Sequence, residues 1–261
     1  MCCATSPERP DPDTTSDTVL GGRLRLRQPR KGHRVGHDAM LLAALAPEHT
    51  RHLVDLGAGV GSAGLAVLVR QPAARGVLVE IDPALAALAD ENVQDNGLGD
   101  RCTVVTGDVR TLCRPIGPPN PAPGAADLVL TNPPFNARAS HQTSPDPQRA
   151  TAHMAEDETL ADWGLAAYRC LAPGGMLGLI LRPEDLGALL DMLRGRFGAA
   201  QLLPVHPAPH APAVRLLVRA IKGRRTPPVL LPGLILADSA GRPTPEAEAV
   251  LRDGTALMPQ R

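Results

Sequence analysis

The sequence predicts an α/β fold, a seven-stranded and mostly parallel sheet with helices on both faces and a terminal antiparallel hairpin. Three observations predict it. From His52 to Asn96 short apolar runs alternate with longer helix-forming stretches, the strand, helix, strand, helix order of a doubly wound sheet. A glycine-rich loop, Asp55-Leu56-Gly57-Ala58-Gly59-Val60-Gly61, overlaps the end of the first run and opens the first helix. Two late aliphatic runs, Ala200 to Val205 and Arg215 to Ile221, are spaced to pair with each other.

Each element has its own signal. His52 to Leu56 reads as a buried strand, Ser62 to Arg70 as a helix, Gly76 to Glu80 as a second strand and Pro83 to Asn96 as a second helix. Cys102 to Val105 and Asp127 to Thr131 supply two more strands. Between them the five prolines of Pro115 to Gly124 demand an extended loop. A polar stretch, Asn136 to Ala150, is too long for an ordinary connection and points to function. Glu158 to Leu171 reads as an amphipathic helix stopped by Pro173-Gly174-Gly175, Met176 to Leu181 as a strand, and Pro183 to Arg196 as a helix. Thr244-Pro245-Glu246-Ala247 carries the signature of a final helix start.

Upstream, Arg23-Leu24-Arg25-Leu26-Arg27 alternates with period two, as a half-buried strand does, and Gly21-Gly22 allows a hairpin with Val19-Leu20. Asp38 or His37 is placed to cap a short helix over Ala39 to Leu45. With 261 residues, one principal domain is expected. Its expected divisions are a disordered tail over 1–18, a strand and helix appendage over 19–50, a core over 51–224 and a C-terminal appendage over 225–261.

Composition narrows the function. Lys and Arg number 27, as do Asp and Glu, so any nucleic-acid contact must come from local clusters such as Arg23 to Arg34 or Lys222 to Arg225. Phe135, Trp163, Tyr168 and Phe197 are the four aromatic residues, too few for a base-stacking sheet. Five cysteines without a C-x-x-C pair argue against a zinc site and a disulfide framework, and fit a reducing cytoplasm. No apolar run marks a signal or membrane anchor in the first 17 residues.

Two motifs carry chemistry. In the first, Gly57, Gly59 and Gly61 let a nucleotide approach the backbone, and Glu80 ends the second strand about 20 residues on, where a carboxylate hydrogen-bonds ribose hydroxyls. Gly59-Val60-Gly61-Ser62-Ala63-Gly64 also satisfies the dinucleotide pattern of oxidoreductases, and glycines can serve a turn alone. Asp55 favours S-adenosylmethionine, because a carboxylate there suits a cationic ammonium and opposes a pyrophosphate. Asp108 and the amide of Val109, after the third strand, suit an adenine ring; Asp108 is equally a helix cap.

The second motif is Asn132-Pro133-Pro134-Phe135 at the end of the fourth strand. Consecutive prolines fix a rigid corner. It presents the Asn132 side-chain oxygen, the Pro133 carbonyl and the Phe135 ring, a set that holds a planar amino or amide nitrogen with its lone pair aimed at a methyl donor. A plain turn is the alternative.

Asp55 to Gly61, Glu80-Ile81-Asp82, Asp108 and Asn132 to Phe135 together resemble class I methyltransferases that methylate amino nitrogens, a group acting on DNA adenine, RNA bases or release-factor glutamine. The segment Gln28 to Ala43 is similar to the entry segment of bacterial tRNA(Val) adenine-N6 methyltransferases, with His37 where that family usually has Thr. The resemblance implies a Rossmann-like class I fold, S-adenosylmethionine as cofactor without metal, and tRNA as partner. It also implies cofactor contacts at Gly36, Asp38, Ile81 and Asn132, and phosphate contacts from Arg23 to Arg34. Methylation of rRNA or of a protein glutamine amide, and a non-catalytic RNA- or cofactor-binding protein, are the alternatives.

Overall fold

A computed structural model describes residues 13–30, 36–112, 121–134 and 160–257. Its elements are β1 (Thr14–Val19), β2 (Leu24–Pro29), α1 (His37–Ala43), β3 (His52–Leu56), α2 (Ser62–Arg70), β4 (Arg75–Glu80), α3 (Pro83–Asp95), β5 (Cys102–Thr106), β6 (Ala126–Thr131) and α4 (160–170). There follow β7 (Leu171–Leu181), α5 (Leu186–Leu193), β8 (Phe197–His206), β9 (Arg215–Lys222), β10 (Val229–Leu230), β11 (Leu234–Ile235) and α6 (Pro245–Leu251).

The main sheet runs β10-β8-β9-β7-β6-β3-β4-β5, with β11 also on β8. Only β9 is antiparallel to its neighbours, β7 and β8. The strand order reverses at β3 and β6, so the carboxyl ends of β3, β4, β5 and β6 share the edge where doubly wound sheets bind ligands. Side chains alternate between two aliphatic layers. Leu53, Leu128, Leu130 and Leu217 face α1, α2, α3 and α6, while Val54, Val129, Leu177 and Val218 face α4 and α5. No helix among the described residues is long and apolar enough to cross a membrane.

The structure departs from the expected layout in several places. The sheet has nine strands rather than seven, because the C-terminal segment adds β10 and β11, two residues each, at its edge. Thr14 to Thr18, within the expected tail, joins Val19 in a strand whose register pairs Val19 with Leu24 and Thr14 with Pro29. Neither His37 nor Asp38 caps α1: Gly36 stands at that position with no side-chain cap. The Pro173-Gly174-Gly175 stop lies inside β7, which starts at Leu171 opposite Ala126, is interrupted, and resumes with Met176 opposite Leu128. Residues 183–185 form a separate 3-10 turn before α5.

Candidate functional site

The strand-to-helix turn after β3 is the centre of the site. Gly57, Gly59 and Gly61 all have positive φ, at 67°, 58° and 89°. Gly59 faces open space: a Cβ there would meet no atom within 4 Å, so a ligand can approach its backbone. Gly64 answers a different need. A Cβ on it would lie 2.4 Å from Leu78 Cδ2 and 3.0 Å from Asp55 Oδ2, so its role is to let α2 lie close on the sheet.

Glu80 binds this turn from the neighbouring strand. Its Oε2 accepts from the Gly59 amide at 2.8 Å, and its Oε1 accepts from the Ile81 and Asp82 amides, both at 2.9 Å. An ionised carboxylate offers about four acceptor positions, so Glu80 shapes the loop and retains capacity on Oε2 for a hydroxyl. Beside it Ile81 is 62% exposed, a large apolar surface available to a flat ring. The Glu80 carbonyl accepts from the Gly107 amide at 2.8 Å, which fixes the neighbouring β5 exit.

Asp108 follows that exit and caps the 3-10 turn Val109–Thr111, accepting from the Arg110 amide at 2.8 Å. The Arg110 guanidinium also grips its carboxylate, Nη2 to Oδ2 at 2.6 Å. An adenine amino group reaching Asp108 would have to share it with Arg110.

Asp55 sits beneath the loop, 2% exposed, and accepts from the Gly64 amide at 2.8 Å. Burial pushes its carboxyl up to about 7, against the lowering by Gly64, with the Glu80 charge adding to the rise. The folded protein therefore holds a proton that the unfolded chain releases near pH 4, and stability from this group falls as pH rises from about 4 to about 7. An ammonium beside Asp55 reverses the preference and expels that proton. Cofactor affinity is thus expected to rise with pH through about 7 and then level, with proton release on binding. In Asp55→Asn the dependence should flatten, affinity should fall, and the cofactor-free protein at pH 8 should melt higher than wild type. Calorimetry in buffers of different ionisation enthalpy, with melting curves, checks all three.

The corner after β6 completes the edge. Thr131 is buried and its hydroxyl donates to the Leu56 carbonyl at 3.1 Å, which locks the β6 exit to the start of the glycine loop. Asn132 comes next. Its Oδ1 is shut off from solvent and has no hydrogen-bond partner among the described residues. A buried carbonyl oxygen left without a donor costs about 1 to 3 kcal/mol, which an arriving N–H group would relieve. Pro133 is buried and Pro134 exposed; Phe135 lies outside the described residues, as do 31–35 and 136–159.

Trp163 was not assigned a role by sequence. A Cβ on Gly57 would lie 2.5 Å from its Cη2, so the indole of α4 packs directly on the glycine loop. The available signal was the scarcity of aromatics, since Tyr168 and Phe197 are engaged with each other edge-to-face at 5.8 Å. Asp38 is held by Arg215 at 2.8 Å, and Gly36 is exposed with open space at its Cα. The basic clusters are partly committed to the fold: Arg27 pairs with Asp95 at 2.7 Å, and Lys222 donates to the Tyr168 and Leu171 carbonyls, each at 2.6 Å.

An open glycine cradle, a loop-binding carboxylate at the next strand and a rigid Asn-Pro-Pro corner on one sheet edge define a class I methyltransferase that uses S-adenosylmethionine. Residues 36–203 match the methyltransferase small domain family, and the chain belongs to it. It is 34% identical over 192 residues to the tRNA1(Val) (adenine(37)-N6)-methyltransferase of Porphyromonas gingivalis, a match spanning 70% of this chain and 72% of that protein. It is 30% identical over 186 residues to the release factor glutamine methyltransferase of Moorella thermoacetica, spanning 67% and 62%. The crystal structure of a predicted O-methyltransferase, protein Atu636 of Agrobacterium tumefaciens, superposes with TM-score 0.70 at 29% identity, over 84% of this chain and 98% of that one.

Proposed function

We propose that the protein transfers the methyl group of S-adenosylmethionine to the exocyclic N6 of an adenine in tRNA, in the cytoplasm where tRNA resides. The observation that carries this is the unpartnered Asn132 Oδ1 at the β6 exit. It can accept one amino hydrogen while the Pro133 carbonyl accepts the other. That arrangement turns the nitrogen lone pair out of conjugation and toward the methyl group. Held by the Gly57 to Gly61 cradle and Glu80, S-adenosylmethionine would supply an electrophilic methyl group, the nitrogen pair forming the N–C bond as the C–S pair stayed with sulfur. The nitrogen proton then becomes acidic and leaves to water past the same acceptors. An oxygen acceptor would first need a base to remove its proton, a task that an amide side chain does not perform.

In this reading Glu80 holds ribose hydroxyls, Ile81 packs on the adenine ring and Asp108 with the Val109 amide meets the ring edge. Asp55 faces the ammonium, and Gly36, Asp38 and the amides of Gly57, Gly59 and Gly61 border the methionine end. Pro134 stiffens the corner and Phe135 stacks on the acceptor base. A protein glutamine amide is the second reading, favoured by the Moorella relative, because the same two acceptors suit a primary amide. Incubation of unmodified tRNA with labelled S-adenosylmethionine, followed by nucleoside mass spectrometry, should give N6-methyladenosine. Label appearing only in protein would replace this reading with the second.

A further inference from the structure

The N-terminal hairpin is fastened to the core by two asparagines of α3. Asn96 Oδ1 accepts from the Arg25 amide at 3.0 Å and its Nδ2 donates to the Arg25 carbonyl at 2.7 Å. One turn earlier, Asn92 Oδ1 accepts from the Arg27 amide at 2.6 Å and its Nδ2 donates to the Arg27 carbonyl at 3.0 Å. The spacing works because four helical residues rise about 6 Å and two strand residues about 6.7 Å. β2 is therefore hydrogen-bonded on both edges, by β1 on one and by carboxamides on the other.

The two asparagines differ in their remaining amide hydrogen. Asn96 sends its own to the Asn92 carbonyl at 2.7 Å, within the helix. Asn92 is fully buried and donates to the Val60 carbonyl at 2.9 Å, inside the glycine loop. One carboxamide thus joins the hairpin strand, α3 and the turn between Gly59 and Gly61. The opposite side of that turn is held by Glu80 at the Gly59 amide. The Ala58–Gly59 peptide is thus fixed as a donor and the Val60–Gly61 peptide as an acceptor.

We infer that Asn92 is a positioning residue for S-adenosylmethionine, through which the hairpin of residues 14–29 becomes a working part of the cofactor site. Loss of the Asn92 bonds leaves the Val60–Gly61 peptide held only by its Gly61 amide on the Ala58 carbonyl at 2.8 Å and lets β2 lift from α3, so the loop facing the cradle is fixed less firmly. This rests on the reading that the Gly57 to Gly61 loop holds the cofactor.

The test compares Asn92→Ala, Asn96→Ala and Gly59→Val in the full chain by calorimetric titration with S-adenosylmethionine, alongside melting curves and steady-state kinetics. Both asparagine variants remove a two-bond clasp on β2 and should lower the melting temperature. Asn92→Ala alone should raise the cofactor Kd, by about tenfold, the equivalent of one lost hydrogen bond, while Asn96→Ala stays within about twofold. Its KM for the cofactor should rise in step while kcat at saturating cofactor holds. Asn92→Ser, a milder change that keeps a hydroxyl, should fall between wild type and Asn92→Ala. Equal effects of Asn92→Ala and Asn96→Ala on Kd, with Gly59→Val abolishing binding, would overturn the inference and leave the loop assignment standing. Wild-type affinity in Gly59→Val would overturn the loop assignment, and the inference with it.

Discussion

Asn132→Ala is expected to lower turnover by about 100- to 1000-fold while leaving cofactor affinity within about twofold of wild type. The asymmetry follows from where the oxygen points. Oδ1 has no donor among the described residues, so its removal disturbs no bond there, and the exit of β6 stays anchored by Thr131 on the Leu56 carbonyl. What disappears, in the proposed function, is the acceptor that orients the amino group as its hybridisation changes. That interaction strengthens as positive charge develops on the nitrogen, so the loss falls on kcat more than on acceptor KM. Asn132→Asp offers a sharper variant, since it retains an acceptor and adds a charge to the corner. Single-turnover transfer from preformed enzyme and cofactor separates chemistry from binding. Unchanged turnover in Asn132→Ala would remove this residue from the mechanism.

Glu80→Ala is expected to weaken S-adenosylmethionine binding by more than about 100-fold, since one side chain serves two purposes whose losses add. Three backbone amides, those of Gly59, Ile81 and Asp82, lose their acceptor, and in the proposed function the ribose hydroxyls lose theirs. The glycine loop then has no tie at the Gly59 amide. Glu80→Gln should fall between, because the amide keeps one carbonyl oxygen and turns an NH2 toward donors. Calorimetric titration reads the effect directly. A Kd in Glu80→Ala close to that of wild type would contradict the placement of the ribose.

The parts of the chain whose fold was legible share a physical property: their stability comes from local pattern. β3, α2, β4 and α3 could be read to within a residue or so because buried aliphatic runs, the glycine turn and Asp82-Pro83 at the head of α3 all mark the same boundaries. Only the Val19 end of β1 was legible, through the Gly21-Gly22 turn, because Thr14-Thr15-Ser16-Asp17 is polar and becomes a strand only by pairing with β2. β10 and β11 are two-residue pairings among prolines, set by β8 rather than by propensity. The start of β7 was hidden by Pro173-Gly174-Gly175, which reads as a stop but lies in an interruption of the register with β6.

The candidate site divides the same way. The sequence marked Gly57 to Gly61, Glu80 and Asn132 because motif spacing reflects geometry at a strand end. It had no means to show that Asp55 lies under the loop with its carboxylate on the Gly64 amide, or that Asp108 is gripped by Arg110. Nor could it show Trp163 seated on Gly57, or Asn92 bridging two segments more than thirty residues from it and from each other. The last two are long-range, the first two local, and all are made by single polar or aromatic side chains, which carry no periodicity. For the arginines of β2, whose run of charge suggested an RNA grip, the structure adds that Arg27 pairs with Asp95 on α3, which the pattern alone did not show.

The central claim is that the acceptor at Asn132 serves an adenine of tRNA. The most direct measurement mixes unmodified tRNA and unmethylated release factor in equal amounts with labelled S-adenosylmethionine, and partitions the label between nucleosides and protein. Label is expected in N6-methyladenosine, and Asn132→Ala should abolish it. Label on a glutamine of the release factor, with the tRNA unlabelled, would contradict it.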